Sequence, residues 1–184
     1  MSEIAKFIKR SDEVLLLLLN HNLHNRIIFL FMQGLTQIGS TRFSVGICVF
    51  LLIFQLKTGN AIGLQMVFAL VFSQILVQTL KRIVNRPRPY RQLQDVDAAN
   101  PPKCKYSLPS GHTCAALTIA LGLAYSFPDF SFIALAIALL VGVSRVYLGF
   151  HYPTDVLIGG VIAYVTFVFA AKVIFPLLPQ MPII

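Results

Sequence analysis

This chain of 184 residues should fold as an all-α, polytopic membrane helix bundle with five to six transmembrane helices. Hydrophobic residues make up 57% of it and charged residues only 12%, whereas a soluble domain carries about 25% charge. Mean hydropathy is +0.76, so its outer surface should meet lipid. Long charge-free windows recur along the chain, divided by clusters of Lys, Arg, Pro and Gly. The length fits a single domain, 1–184, and the composition excludes disordered and collagen-like chains.

Residues 3–19 read as an amphipathic interfacial helix and 25–38 as a second, partly buried one, so that 1–38 forms an N-terminal interfacial unit. The alternative is a single strained crossing, which would place Asn20, His21, Asn22, His24, Asn25 and Arg26 in mid-bilayer at high cost. His21 and His24 belong to this polar patch and read as interfacial, not catalytic. The apolar run 14–19 is too short for a secretory signal, so no removable leader is expected. The transmembrane bundle should occupy 39–178, beginning with a helix at 43–55. The next helix fills the charge-free stretch between Lys57 and Lys81, long enough for a hydrocarbon core of about 30 Å. It should end near Asn85, because Pro87 and Pro89 cannot continue it. Residues 86–108 then form the only long loop. Further helices are expected at 108–127, after the Pro109-Ser110-Gly111 turn, and at 130–144 and 156–171, with Arg145 and Lys172 at the interface.

The net charge of +8 matters less than where the charges lie. Lys81, Arg82, Arg86, Arg88, Arg91, Lys103 and Lys105 cluster, against only Asp95 and Asp97. Next to long apolar segments, such a cluster points to anionic head groups or a phosphate substrate. Nucleic acid is not expected as a partner, since no aromatic stacking platform accompanies the cations. Cys48, Cys104 and Cys114 make neither a complete disulfide set nor a zinc site.

With five crossings, the 81–91 region, Ser110 and the turn between Arg145 and Asp155 emerge on one membrane face. Lys81, Arg88 and Arg145 together suit a phosphate dianion, the Arg forks supplying paired donors and the Lys a point charge. Head-group anchoring accounts for Arg82, Arg91, Lys103 and Lys105. Ser110 fits a helix N-cap, and Gly111 would let the backbone approach an anion at the positive helix end. His112, within a turn of that end, could protonate a leaving oxygen; alone, this tetrapeptide could equally be a cap with His112 reaching to water. His151 and Asp155 are four residues apart, with Pro153 fit to be the first residue of the last helix. The carboxylate can then reach one imidazole nitrogen and leave the other with a lone pair, as a nucleophile or general base. A His/Asp zinc site is disfavoured, because only His112 adds a ligand and cations crowd the site.

These blocks resemble the type 2 phosphatidic acid phosphatase family, whose site is similar to that of vanadium haloperoxidases and glucose-6-phosphatase. The first family block, Lys then six residues then Arg-Pro, appears from Lys81 to Arg88-Pro89. Pro109-Ser110-Gly111-His112 is the second, and Ser144-Arg145 followed by His151 and Asp155 is the third, all in order and correctly spaced. The resemblance covers residues 35–175 and implies a vanadium-haloperoxidase-like phosphatase core. It implies that His151 attacks phosphorus to form a phosphohistidine, Asp155 orients it, and His112 protonates the leaving oxygen. Lys81, Arg88 and Arg145, with the Ser110 hydroxyl and the Gly111 N–H, would hold the phosphoryl oxygens. No metal, no cofactor and no obligatory protein partner is implied. The expected substrate is a lipid phosphate or diphosphate, undecaprenyl diphosphate first, with phosphatidylglycerophosphate, phosphatidic acid and a lipid A phosphate open. A lipid phosphotransferase, or a non-enzymatic lipid-phosphate binding or transport protein, would use part of the same residues. The resemblance also implies the bacterial cytoplasmic membrane, with the site on the extracytoplasmic face; Lys6, Lys9 and Arg10 favour an inside N-terminus. Many six-span relatives start with a clean apolar crossing, and the polar patch at 20–26 departs from that pattern.

Overall fold

The computed structural model describes residues 3–21, 25–96, 98, 101–102 and 104–178. Asn22, His24, Asp97 and Lys103 lie outside the described residues, as does the side chain of His21. Two helices, α1 (Glu3–His21) and α2 (Arg26–Leu35), precede the bundle. Asn25 caps α2 by accepting the Ile27 N–H at 2.8 Å. The helix expected to run to residue 38 tightens after Leu35 into a 3₁₀ turn, Thr36–Gly39. α1 turns Asp12, Leu16 and Asn20, one apart from the next by a helical turn, onto the last two long helices, Ser131–Tyr147 and Pro153–Phe169, and leaves Ile4, Phe7, Val14 and Leu18 exposed.

Helix α3 (Thr41–Thr58) starts at the Ser40 N-cap and stops at Gly59, whose φ of 72° is left-handed. α4 (Ile62–Val84) ends the same way at Asn85, φ 52°, just before the two prolines. A single turn, α5 (Pro89–Gln92), interrupts the 86–108 loop. That loop closes on itself: Pro87 bridges Tyr106, and Ser107 N–H donates to the Arg86 carbonyl at 2.8 Å. α6 (Gly111–Ser126), α7 (Ser131–Tyr147) and α8 (Pro153–Phe169) follow, α8 running on through a π-helical stretch, Ala170–Ile174, and a 3₁₀ turn, Phe175–Leu177.

Four segments among the described residues are long and apolar enough to cross a membrane: Thr41–Thr58, Ile62–Val84, Pro128–Tyr147 and Pro153–Leu177. The remaining expected crossing, α6, has 16 residues, about 24 Å at the usual helical rise. It is the central helix, packed on α4, α7 and α8. Its buried Ala115, Ala116, Thr118, Ala120 and Gly122 are small, which lets the surrounding helices close in. Glycines on the partners do the same at its N-terminus. A Cβ on Gly39 would stand 2.5 Å from the His112 carbonyl, and one on Gly159 would stand 2.6 Å from that of Ser110.

The exterior is the inverse of a soluble protein's. Phe50, Val71, Ile75, Phe132, Leu139, Leu157 and Val161 are each more than half exposed, while Gln55, Ser73, Thr118 and Thr166 are buried. These four side chains find partners within the bundle, for example Gln55 Oε1 the Leu64 N–H at 3.0 Å and Thr118 the Cys114 carbonyl at 2.8 Å.

Candidate active site

The interior end of α4 carries Gln74, Gln78 and Lys81 on one helical face, and all three line a cavity of about 300 Å³. Lys81 is 5% exposed and donates to the Tyr106 carbonyl at 3.2 Å. The Pro87–Pro89 turn sends Arg88 back into the same cavity, where its Nε donates to the Cys104 carbonyl at 2.7 Å and its Nη1 to the Phe150 carbonyl at 2.9 Å. Arg145 arrives from the last turn of α7, donates from Nη1 to Thr36 Oγ1 at 2.7 Å, and stacks 4.7 Å above the Phe150 ring. Its buried Nε has no partner. The start of α6 contributes Gly111 and His112 to the wall, and the turn before α8 contributes His151.

His151 Nε2 lies 3.2 Å from Arg88 Nη1. A guanidinium has no acceptor, so Nε2 must present its lone pair and the ring proton is assigned to Nδ1. Burial, and then the charges of Arg145, Arg88 and Lys81, hold the His151 pKa well below the ordinary imidazole range. The ring is therefore neutral at physiological pH, with the Nε2 lone pair directed at Arg88.

Nδ1 faces Asp155 Oδ2 across 3.7 Å, beyond hydrogen-bonding distance. The four-residue spacing thus places the carboxylate beside the right nitrogen, but its hydrogen bonds go elsewhere. Oδ2 accepts the Tyr152 N–H at 2.9 Å, helping to start α8 at Pro153. Oδ1 accepts Arg86 Nη1 at 2.8 Å.

Arg86 is the residue that sequence reasoning left within the general basic cluster. Its Nη1 also donates to Thr154 Oγ1 at 2.8 Å, its Nη2 pairs with Asp12 Oδ2 at 2.7 Å, and its guanidinium sits 4.1 Å from the centre of the Tyr152 ring. Asp12 in turn accepts the Thr154 N–H at 2.9 Å. α1 is wired in this way to the carboxylate behind the histidine. The available signal was an acidic residue, Asp12, on the same helical face as Leu16 and Asn20. Gln74 and Gln78 could also have been found, as amides one and two turns before Lys81 in an apolar helix.

Ser110 is fully buried, and its hydroxyl accepts Thr113 Oγ1–H at 2.8 Å and Thr113 N–H at 3.4 Å. It caps α6 from behind the cavity wall, while Gly111 and His112 stand on that wall. Arg82, Arg91 and Lys105 are exposed and away from the cavity. Among the described residues, no three His, Cys, Asp or Glu side chains are grouped to share a metal ion.

Fold and site together define an all-helical membrane bundle that encloses a cation-lined, anion-sized cavity with two histidines on its wall. Residues 62–178 match the PAP2 superfamily, and the chain belongs to it. That range contains the three cations, both histidines and Asp155. The chain is 33% identical over 129 residues to an undecaprenyl-diphosphatase of Sulfolobus acidocaldarius and 34% identical over 143 residues to phosphatidylglycerophosphatase B of Bacillus subtilis, in each case over 70% of this chain. It spans 62% and 66% of the length of those two relatives. The crystal structure of Aquifex aeolicus LpxE superposes with a TM-score of 0.76 at 29% identity, covering 86% of this chain and 93% of that one. The crystal structure of the transmembrane PAP2-type phosphatidylglycerolphosphate phosphatase of Bacillus subtilis does so with a TM-score of 0.74 at 27% identity, covering 90% and 87%. With its apolar helices and these relatives, the chain is an integral membrane protein.

Proposed function

We propose that this protein is a lipid phosphatase that removes the terminal phosphate of a membrane lipid phosphate or diphosphate through a phosphohistidine. The observation that carries the reading is the convergence of Lys81, Arg88 and Arg145 on one buried cavity, beside a neutral His151 Nε2 and with His112 on the wall. Three cations neutralise a phosphoryl dianion and the charge that builds on its equatorial oxygens, and the Gly111 N–H at the start of α6 adds a fixed dipole. Ser110 supports that helix end as its cap.

The substrate phosphate draws Arg88 off Nε2, which then attacks phosphorus. The bond from phosphorus to the leaving oxygen breaks, and His112, which can hold a proton once the phosphate dianion offsets the three cations, gives that proton to the oxygen. Charge developing on the His151 ring is met by Asp155, 3.7 Å from Nδ1, as that gap closes. Water next attacks the phosphohistidine and His112 takes its proton, which frees inorganic phosphate. No step calls for a metal or a cofactor.

Undecaprenyl diphosphate is the proposed substrate, supported by the relative that carries that activity in its name; phosphatidylglycerophosphate and phosphatidic acid are the next choices. The proposed location is the bacterial cytoplasmic membrane with the cavity open to the extracytoplasmic face, and with α1 and α2 in its interface. Exposed Ile4, Phe7 and Leu18 on α1 support that placement. The test is phosphate release by detergent-purified protein, with EDTA present, from undecaprenyl diphosphate, phosphatidylglycerophosphate and phosphatidic acid. Release from one of them that falls by orders of magnitude in His151→Ala is expected. Release from none, or a variant that works normally, refutes the proposal.

A further inference from the structure

We propose that Asp12, on α1, is a positioning residue for the reaction: by sharing Arg86 with Asp155 it leaves a net negative charge behind His151, which steadies the ring as it is phosphorylated. The inference rests on the phosphatase reading above. It concerns a helix, Glu3–His21, that lies outside the residues matched to the family, 62–178.

Three successive turns of α1 reach the segment that carries His151. Asn20 Nδ2 donates to the Tyr147 carbonyl, at the end of α7, at 2.8 Å. Leu16, fully buried, packs with Val146 and Tyr152. In the first turn of α8, Asp12 accepts the Thr154 N–H on Oδ1 at 2.9 Å and the Thr154 hydroxyl on Oδ2 at 2.5 Å. α1 therefore holds both ends of 147–154, the segment from which His151 faces the cavity. Those hydrogen bonds ask only for a polar side chain at position 12; the choice of a carboxylate needs a further reason.

Charge supplies it. Arg86 divides its guanidinium between two acids, Nη2 to Asp12 Oδ2 at 2.7 Å and Nη1 to Asp155 Oδ1 at 2.8 Å. Both acids are buried, so water screens them little. With Arg86 bonded to Asp155 alone, cation and anion would cancel, and no net charge behind the ring would answer a positive charge on it. Asp12 brings the group of three to one net negative charge. Among the described residues, Arg86 is the one Lys or Arg paired with either acid. That charge is needed in the transfer step. His151 Nε2 forms its bond to phosphorus, the bond from phosphorus to the leaving oxygen breaks with its electron pair on that oxygen, and the oxygen takes the His112 proton. The ring, still carrying its Nδ1 proton, gains positive charge on a wall that already holds Lys81, Arg88 and Arg145. Asp155 Oδ2 faces that proton, and Asp12 keeps Asp155 from being neutralised by Arg86. Substrate phosphate is held by the three cations of the cavity, so Asp12 acts on kcat and not on KM.

The full-length protein in detergent tests this with undecaprenyl diphosphate, phosphatidylglycerophosphate and phosphatidic acid, as wild type, Asp12→Asn, Asp12→Glu and Glu13→Gln. On the lipid that the wild type hydrolyses, Asp12→Asn keeps the shape and removes the charge. It should lower kcat by about 10-fold to 100-fold, the range known for partners that stand behind metal-bound histidines, and leave KM nearly unchanged. Asp12→Glu keeps the charge on a longer stem and should retain more of kcat than Asp12→Asn. A purely structural role gives the opposite order, because Asn fits the space and Glu overfills it. Glu13→Gln takes the same charge from the next position, where the carboxylate pairs with exposed Lys9 at 3.8 Å, and should leave kcat unchanged. Should Asp12→Asn not accumulate, Asp12→Ser, neutral and still able to accept the Thr154 N–H, carries the same expectation. A neutral variant with the kcat of wild type, Asp12→Glu at or below Asp12→Asn, an equal fall in Glu13→Gln, or a change in KM alone overturns this inference and leaves the phosphatase reading standing. Release from none of the lipids by the wild type overturns that reading and this inference with it.

Discussion

Replacing Arg86 by Ala strands two carboxylates at once. Asp12 and Asp155 have side chains 2% and 0% exposed, and Arg86 is the cation that both of them contact, at 2.7 and 2.8 Å. Breaking a buried ion pair by removing one partner costs about 3–5 kcal/mol. A chain of this size shifts its melting temperature by about 2–4 °C per kcal/mol, so Arg86→Ala should melt roughly 6–20 °C lower. Arg86→Lys retains the charge, but a single ammonium cannot replace both guanidinium nitrogens. It should lose at least one hydrogen bond to a charged acceptor, about 1.5–3 kcal/mol. Thermal unfolding of the detergent-purified variants, followed by helical circular dichroism, reads both values. A double-mutant cycle of Arg86→Ala with Asp12→Ala tests the coupling directly, because the second change removes a carboxylate that the first would strand. Phosphate release should fall too, since Asp155 loses the partner that holds it behind His151. An Arg86→Ala protein within about 1 kcal/mol of wild type, the worth of a surface pair, would refute the reasoning.

The low pKa of His151 sets where the nucleophile is lost on the acid side. Its lone pair is lost only below the depressed folded value, so kcat/KM should show no fall on the acid side centred at the free-imidazole value of about 6.5, and an acid limb there would contradict this. Stability behaves oppositely: the unfolded chain takes up the proton near pH ~6.5 and the folded one does not, so the protein should lose stability as pH drops below that point. Gly159→Ala puts a Cβ 2.6 Å from the Ser110 carbonyl, and should cost about 1–3 kcal/mol by overpacking, with lower turnover as the start of α6 shifts. Gly46→Ala meets nothing within 4 Å and should gain about 0.5–1 kcal/mol as a mid-helix glycine replacement; equal melting of the two variants would refute the packing argument. Ser110→Ala removes the N-cap of α6 and should cost about 0.5–2 kcal/mol in a thermal melt, with a smaller effect on KM than Lys81→Ala.

Much of this site was legible because its parts are local. The Lys81 to Arg88 spacing, the capped Pro-Ser-Gly-His turn and the His151–Asp155 pair each lie within a few turns of chain. Their prolines and the Ser110 cap determine backbone direction without help from elsewhere. Counting crossings then brought the blocks to one face, and Lys81, Arg88, Gly111, His112, Arg145 and His151 line one cavity. The length of α6 was less legible: a charge-free window cannot tell a central helix that starts inside the bundle from one that reaches the surface.

Residue order alone carries the helical class, the break at Pro87 and the chemistry of the histidines and cations, since periodicity, proline geometry and charge are properties of neighbours in the chain. Only the packed structure decided that Asp155 bonds Arg86 before His151, that Asp12 on α1 completes that pair, and that Ser110 caps from behind the wall. Contacts of this kind join residues far apart in the chain, and they are selected by how closely small residues such as Gly39 and Gly159 let helices approach. That approach distance is a property of two surfaces in contact, and no spacing within one strand of sequence records it.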